Sequence, residues 1–102
     1  MRVMVLVQPR FPVPPERFPA LMDRFADWRE RHRGIMEAFE FFAGGGGGFA
    51  ILNVPDEATL HRAMVEYPLT PYSEITVRPL LDGDAALEQW REALRRAHGG
   101  SP

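Results

Sequence analysis

Short apolar runs alternate with amphipathic stretches along this 102-residue chain. The β-branched run Val3 to Val7 is typical of a strand, and Pro9 cannot donate to a sheet ladder beyond it. Apolar residues that recur every three or four positions between Phe18 and His32 instead indicate an amphipathic helix, which Gly34 ends. The full pattern predicts strands at residues 2–8, 35–43, 49–54 and 74–80 and helices at residues 15–33, 56–67 and 84–98.

Five consecutive glycines, Gly44 to Gly48, separate the second and third predicted strands. Glycine adopts positive φ values without steric cost, so this segment predicts the tight reversal of a β-hairpin. The same residues also let strand backbone pass very close to another group. The segment is the only low-complexity feature of the chain, and nothing in the pattern indicates a second domain. We expect one domain over residues 1–98 and a flexible tail at 99–102.

The element order predicts an α+β protein with the ferredoxin-like βαββαβ arrangement, an antiparallel four-stranded sheet and an additional C-terminal helix. Two helices cover one face of such a sheet, yet the strands are apolar on both faces: Val3 and Val5 alternate with Met4 and Leu6. The third helix is too small to cover a four-stranded sheet, and large exposed apolar patches are unusual on monomers. We therefore expect a homodimer, a dimeric α/β barrel in which two sheets stack face to face.

Composition excludes several classes of protein. The chain has no cysteine, which rules out disulfides and thiol nucleophiles, and all 12 basic residues are arginine, which rules out Schiff-base and P-loop lysines. A net charge of -2 with interspersed signs predicts neither nucleic acid nor an anionic membrane as a partner. Without an apolar run of about 18 residues or a cleavable leader, we expect a cytoplasmic protein with a small-molecule ligand.

Few residues are candidates for chemistry. His32, His61 and His98 are too far apart in the sequence to form a predictable metal site, so we expect no metal. Among the carboxylates, Asp23 lies on the first helix and Glu40 lies in an aromatic strand, where desolvation raises proton affinity toward that of a usable acid or base. Solvent exposure is the ordinary alternative for both carboxylates, because Asp and Glu are seldom buried without a partner.

One stretch resembles a known family. Asn53-Val54-Pro55, Leu60-His61, Pro68-Leu69-Thr70-Pro71-Tyr72 and Ile75-Thr76-Val77 are similar to the second half of the muconolactone delta-isomerases. The resemblance implies the ferredoxin-like fold, face-to-face dimers and a 1,3-proton shift in an unsaturated lactone without a cofactor. It also implies a proton-shuttling carboxylate on the first helix, nearest to Asp23. Our hypothesis adds Glu40, in the aromatic strand, as a second acid. His61 and Tyr72 would position the substrate.

The chain departs from that family at Gly46 and Gly48, which stand where the family has tyrosine and asparagine donors. Loss of an oxyanion donor costs roughly 100- to 1000-fold in turnover, which argues against efficient muconolactone isomerisation. The glycines would instead enlarge the cavity for a bulkier, more aromatic ligand beside Trp28, Phe41 and Phe49.

The leading hypothesis is a cofactor-free isomerase or cyclase that moves a proton on a small lactone, quinone or polyketide-like molecule. Two alternatives stay open. One is a cofactor-free monooxygenase of aromatic compounds, with Trp28 and His32 lining its site. The other is a non-catalytic dimer that binds a small molecule or serves a structural role, because a fold does not determine a function.

Overall fold

A computed structural model describes residues 1–99, and its centre is a four-stranded antiparallel sheet. The strands are β1 (Arg2–Pro9), β2 (Met36–Phe41), β3 (Gly48–Asn53) and β4 (Ser73–Leu80), and the helices are α1 (Phe18–Arg31), α2 (Glu57–Val65) and α3 (Gly83–Gly99). The order across the sheet is β2-β3-β1-β4, with every neighbouring pair antiparallel. The predicted α+β, ferredoxin-like βαββαβ fold with a C-terminal helix is confirmed.

Several boundaries differ from the predicted ones. Residues Pro15–Arg17 form a separate 3-10 turn, so α1 begins only at Phe18. β2 ends at Phe41, before the predicted end at residue 43, because the chain already turns back there. Of the expected tail at 99–102, Gly99 belongs to α3 and the rest lies outside the described residues.

The face of the sheet beneath α1 and α2, here called the inner face, carries the hydrophobic core. The β1–β3 register places Val3 opposite Leu52 and Val5 opposite Ala50, and all four side chains are buried. Since side chains alternate between the faces of a strand, the same strands direct a second apolar set to the opposite, outer face. The core also includes Val54, and it is completed by half-buried Val7, Ile35, Met36, Leu60, Met64 and Ile75.

The helix α2 begins at a strong cap. The Asp56 carboxylate accepts hydrogen bonds from the Thr59 backbone N–H at 2.8 Å and from the Thr59 hydroxyl at 2.7 Å. These bonds stabilise the charged carboxylate and lower the pKa of Asp56. The cap fixes where α2 starts and so sets which of its residues reach the inner face.

The hairpin between β2 and β3 depends on glycine for two separate reasons. Gly44 to Gly47 all have positive φ, between 87° and 101°, which is the conformation expected from the sequence. Gly48 has ordinary dihedrals, but a Cβ there would overlap the carbonyl oxygen of Glu40. The strands β2 and β3 therefore approach too closely at this point for any side chain. The sequence predicted such a close backbone approach as the alternative role of the glycine run.

The strand β4 lies at an edge of the sheet, where Pro79 can be accommodated although it has no backbone N–H to donate. Among the helices of residues 1–99, none has both the length and the apolar character needed to cross a lipid bilayer. Nothing in one chain tests the expected pairing of two copies, which stays a prediction.

Candidate functional site

A cavity of about 340 Å³ lies between the inner face of the sheet and the helices α1 and α2. This size is within the range of small-molecule pockets, which are typically 300–1,000 Å³. The strands supply its floor, α1 one wall, and the end of α2 with the following turn another. Apolar and aromatic side chains dominate the lining, which includes Val5, Val7, Phe25, Trp28, Phe39, Phe41, Ala50, Met64, Tyr67 and Leu69.

Five aromatic residues form a contiguous wall around Phe25. Its ring centroid lies 5.9 Å from Trp28, 5.9 Å from Phe39, 6.1 Å from Phe41 and 5.6 Å from Tyr67. The rings of Trp28 and Tyr67 meet edge-on at 4.9 Å. Tilted and edge-on contacts at these distances are favourable for aromatic pairs. The wall therefore holds its shape by mutual packing and presents ring surfaces to whatever occupies the cavity.

Trp28 also has its polar atom satisfied by the protein. Its indole Nε1 donates a hydrogen bond of 2.9 Å to the carbonyl oxygen of Ala63, in α2. This carbonyl is one of the last four of the helix, which have no regular intrahelical donor. The indole therefore satisfies a carbonyl in the last turn of α2, and the bond fixes the ring plane of Trp28. The indole N–H is then not available to a ligand.

Tyr67 follows α2 and supplies the polar group that the aromatic wall otherwise lacks. Its side chain is buried, and desolvation raises the pKa of Tyr67 to about 12, so the phenol is neutral at physiological pH. Its hydroxyl has no hydrogen-bond partner within residues 1–99. Every side-chain polar atom in that range that is fully enclosed by protein does have such a partner. The hydroxyl is therefore not fully enclosed by protein atoms, and Tyr67 is one of the residues that line the cavity.

Two further polar residues border the cavity. Ser73, at the start of β4, is half-buried at its rim. Glu40 lies opposite Phe49 in the β2–β3 register, and alternation places both side chains on the outer face, although both residues border the cavity. The carboxylate of Glu40 is thus not directed at the space enclosed by the aromatic wall.

The structure brings five of the nine predicted site residues to the cavity: Trp28, Glu40, Phe41, Gly48 and Phe49. The other four, Asp23, Gly46, His61 and Tyr72, are not part of its lining. Asp23 is exposed because it lies two residues before Phe25, about 200° around α1 from that inward side chain. His61 and Gly46 are also exposed, and Tyr72 is half-buried in the turn before β4.

Phe25 and Tyr67 line the cavity but were not among the predicted site residues. A stripe of apolar residues on a helix predicts contact with the sheet, and it contains no information about a gap left between the two layers. The one available signal is chemical: a tyrosine in a buried stripe needs a partner for its hydroxyl. Here the hydroxyl has none among the described residues, and Tyr67 lines the cavity.

His32 lies behind the aromatic wall. Its ring is 5.4 Å from that of Trp28, and its Nε2 lies 3.1 Å from Glu66, which also bonds Arg31 at 3.1 Å. These contacts join the end of α1 to the end of α2. Within residues 1–99, no three His, Asp or Glu side chains are grouped in a way that could hold a metal ion.

Comparison with solved structures gives the fold its name. Muconolactone isomerase superposes with a TM-score of 0.70 and 24% sequence identity, over 78% of this chain and 88% of that one. This chain has the fold of muconolactone isomerase. No protein-family model and no curated protein sequence matches the chain.

A second solved structure is also similar to this chain. It is 5-chloro-2-hydroxyhydroquinone dehydrochlorinase from Burkholderia phenoliruptrix AC1100, in complex with 2,5-dihydroxybenzoquinone. It superposes with a TM-score of 0.58 and 16% identity, over 83% of this chain and 98% of that one. Both proteins take their names from small ring compounds. At these identities the likeness establishes the fold, and activity is a separate question.

Proposed function

We propose that this protein binds a small, uncharged, flat ring compound that carries a carbonyl group, of the lactone, quinone or polyketide-like class. The observation that carries the proposal is the aromatic cavity lined by Tyr67, whose hydroxyl has no hydrogen-bond partner among residues 1–99. Phe25, Trp28 and Phe39 offer ring surfaces, and a neutral phenol donates a hydrogen bond to a carbonyl oxygen.

The lining favours an uncharged ligand. No arginine or histidine lines the cavity in the described chain. A ligand carboxylate would lose its hydration there without gaining a cation, which costs several kcal/mol in apolar surroundings. The two fold neighbours are named for a lactone and for a chlorinated hydroxyhydroquinone, and the second holds a quinone. These names support the proposed class of ligand.

Binding can be followed by tryptophan fluorescence, because the chain has two tryptophans and only Trp28 lines the cavity. The W90F variant leaves Trp28 as the sole reporter. We expect 1,4-naphthoquinone and coumarin to bind, and to bind about 5- to 30-fold more tightly than naphthalene, which has no acceptor for the Tyr67 hydroxyl. Naphthoate, the charged analogue, should bind most weakly.

The decisive comparison adds Tyr67→Phe to this background, with Tyr72→Phe as the matched control outside the cavity. In Y67F the preference of 1,4-naphthoquinone over naphthalene should fall to about 3-fold or less, while Y72F should keep it. If neither 1,4-naphthoquinone nor coumarin binds, the proposed class of ligand is refuted. An unchanged preference in Y67F would refute the role of the hydroxyl.

A second candidate function, proton transfer within the bound compound, is favoured by the protonation state of Tyr67. A neutral phenol in a desolvated site can stabilise the oxyanion that forms when solvent water or hydroxide takes a proton from the carbon next to a carbonyl, and solvent then returns a proton to carbon as the oxyanion collapses. Deuterium exchange from solvent into an enolisable unsaturated lactone tests this activity. The wild type should exceed the buffer rate, and Y67F should lose roughly 100- to 1000-fold of the excess. Because Asp23 is outside the cavity, D23N should keep the wild-type rate.

A further inference from the structure

The cavity is lined by very few polar side chains, and the proposed function uses only one of them. Among the described residues, a side-chain nitrogen or oxygen in the lining belongs to Trp28, Glu40, Tyr67 or Ser73. The indole N–H of Trp28 is bonded to Ala63, and alternation directs Glu40 to the outer face. Like the hydroxyl of Tyr67, that of Ser73 has no hydrogen-bond partner within residues 1–99. Ser73 therefore supplies the second hydroxyl that a ligand can use.

The sheet register places Ser73 on the inner face, above which the cavity lies. The β1–β4 register pairs Val7 with Ile75 and Pro9 with Ser73. Val7 and Ile75 pack against the core, so the residues two positions further along each strand point to the same side. The cross-strand neighbour of Ser73 is a proline, whose side chain has no polar atom. The sheet therefore gives the half-buried Ser73 hydroxyl no partner across the strands.

Ser73 is offset along the strands from the aromatic wall. Phe41 of this wall lies opposite Gly48, and Gly48 lies opposite Val7. Ser73 instead lies opposite Pro9, two residues beyond Val7. Two residues of an antiparallel strand span about 7 Å. A ligand that stacks on the aromatic wall thus meets Ser73 with a part of its ring system further along the strands.

The glycine hairpin borders the cavity at the same end as Ser73. Gly45 and Gly47 line the cavity there together with Pro9 and Ser73, and these four residues are here called the hairpin end. Gly47 lies so close to β1 that a Cβ on it would overlap the carbonyl oxygen of Val7. Within the described chain, the hydroxyl of Ser73 is the one side-chain hydrogen-bonding group of the hairpin end. A ligand oxygen at this end is therefore recognised through Ser73.

We propose that Ser73 determines specificity by bonding a second oxygen of the ligand whose carbonyl is held by Tyr67. This inference rests on the proposed function, since it requires the ligand to occupy the aromatic cavity. A serine hydroxyl both donates and accepts, so the second oxygen is a carbonyl or a hydroxyl. The two anchors select a flat ring compound with oxygen functions on opposite sides. They favour a quinone over a simple lactone, whose two oxygens are attached to one carbon atom.

The exposure of Ser73 sets the size of its effect. Its hydroxyl is half-buried, so water can replace a ligand that lacks the second oxygen. The loss is then at the low end of the range for a neutral hydrogen bond, about 3-fold in affinity. Tyr67 is buried more deeply and has the larger effect. The expected signature of Ser73 is a small change that depends on the ligand.

The test compares 1,4-naphthoquinone, which has carbonyls on opposite sides of one ring, with coumarin, which has its lactone on one side. Ser73→Ala is introduced into the W90F background, and binding is followed by the fluorescence of Trp28. The affinity for 1,4-naphthoquinone should fall about 3-fold, and that for coumarin should change by less than about 1.5-fold. Thr76→Val is the matched control, because it removes a hydroxyl from the outer face of the same strand. It should change neither affinity.

A double variant separates the contributions of the two hydroxyls. The preference of about 3-fold for 1,4-naphthoquinone over naphthalene that remains in Y67F is the part that we assign to Ser73. Y67F/S73A should therefore bind these two compounds about equally well. Circular dichroism spectra identical to that of the wild type show that each variant is folded.

The outcomes distinguish this inference from the proposed function. If neither 1,4-naphthoquinone nor coumarin binds the wild type, both are refuted. If both compounds bind but S73A weakens them equally, or weakens neither, Ser73 does not determine specificity while the cavity ligand stands. A loss of 1,4-naphthoquinone affinity in T76V as large as that in S73A would also overturn the assignment, because the effect would not depend on the cavity.

Discussion

The indole Nε1 of Trp28 and the carbonyl oxygen of Ala63 are joined by a hydrogen bond of 2.9 Å. Both residues are buried, and the bond links α1 to the last turn of α2. It also holds the ring of Trp28 in the aromatic wall of the cavity. One contact thus contributes to the packing of the two helices and to the shape of the site between them and the sheet.

Substitution of Trp28 by phenylalanine should destabilise the protein by about 2–4 kcal/mol, because the Ala63 carbonyl loses its donor and the smaller ring leaves a void. Urea unfolding monitored by circular dichroism measures the change. Trp90→Phe is the matched control and should cost about 0.5 kcal/mol or less, because Trp90 is 70% exposed. Equal losses in the two variants would argue against a structural role for the Trp28–Ala63 bond.

Gly48→Ala should cost about 2–3 kcal/mol or more, because the new methyl group would overlap the Glu40 carbonyl and force β2 away from β3. Gly34→Ala is the control: a Cβ there meets no atom within 4 Å and the backbone needs no positive φ, so its stability should stay within about 1 kcal/mol of the wild type. Thermal unfolding of both variants decides the point. A tolerated G48A would show that the hairpin can open without cost.

Alkaline pH should reveal the burial of Tyr67. Its pKa of about 12 exceeds the ordinary value of 10.0, so the folded state favours the neutral phenol. The resulting stability is fully present below pH 10 and is lost as the pH rises toward 12. In Y67F the loss of stability between pH 10 and 12 should be smaller by about 1–2 kcal/mol. Phenolate absorbance of Y72F, in which Tyr67 is the sole tyrosine, should rise near pH 12, and a rise near 10 would contradict the burial.

Ala50→Leu should block the cavity. Ala50 is buried on the inner face and lines the cavity, so a larger side chain there enters the space that a ligand needs. The affinity for 1,4-naphthoquinone should fall at least about 10-fold, with the fold retained in circular dichroism spectra. Ala58→Leu, at an exposed position of α2, should leave the affinity unchanged. Binding that survives A50L would place the ligand elsewhere.

The sequence determined most of the fold because the deciding signals are local. The alternation of Val3 and Val5 with Met4 and Leu6 identified a strand with two apolar faces, and the glycine run identified the hairpin. The run also indicated a close backbone approach, which the structure locates at Gly48. Two predicted boundaries differ from the observed ones by a few residues. A 3-10 turn replaces the predicted start of α1, and the chain reverses before the predicted end of β2.

The tertiary structure decided the site. Trp28 and Phe41 were predicted from their aromatic character, and they line the cavity. Asp23 was chosen by resemblance to a family, but the rotation of α1 that directs Phe25 inward turns Asp23 to solvent. Periodicity along one element says which residues share a face, whereas a cavity is the space left where several elements fail to meet. That space, and the position of Tyr67 beside it, follow from the packing of α1 and α2 on the sheet and from no local pattern.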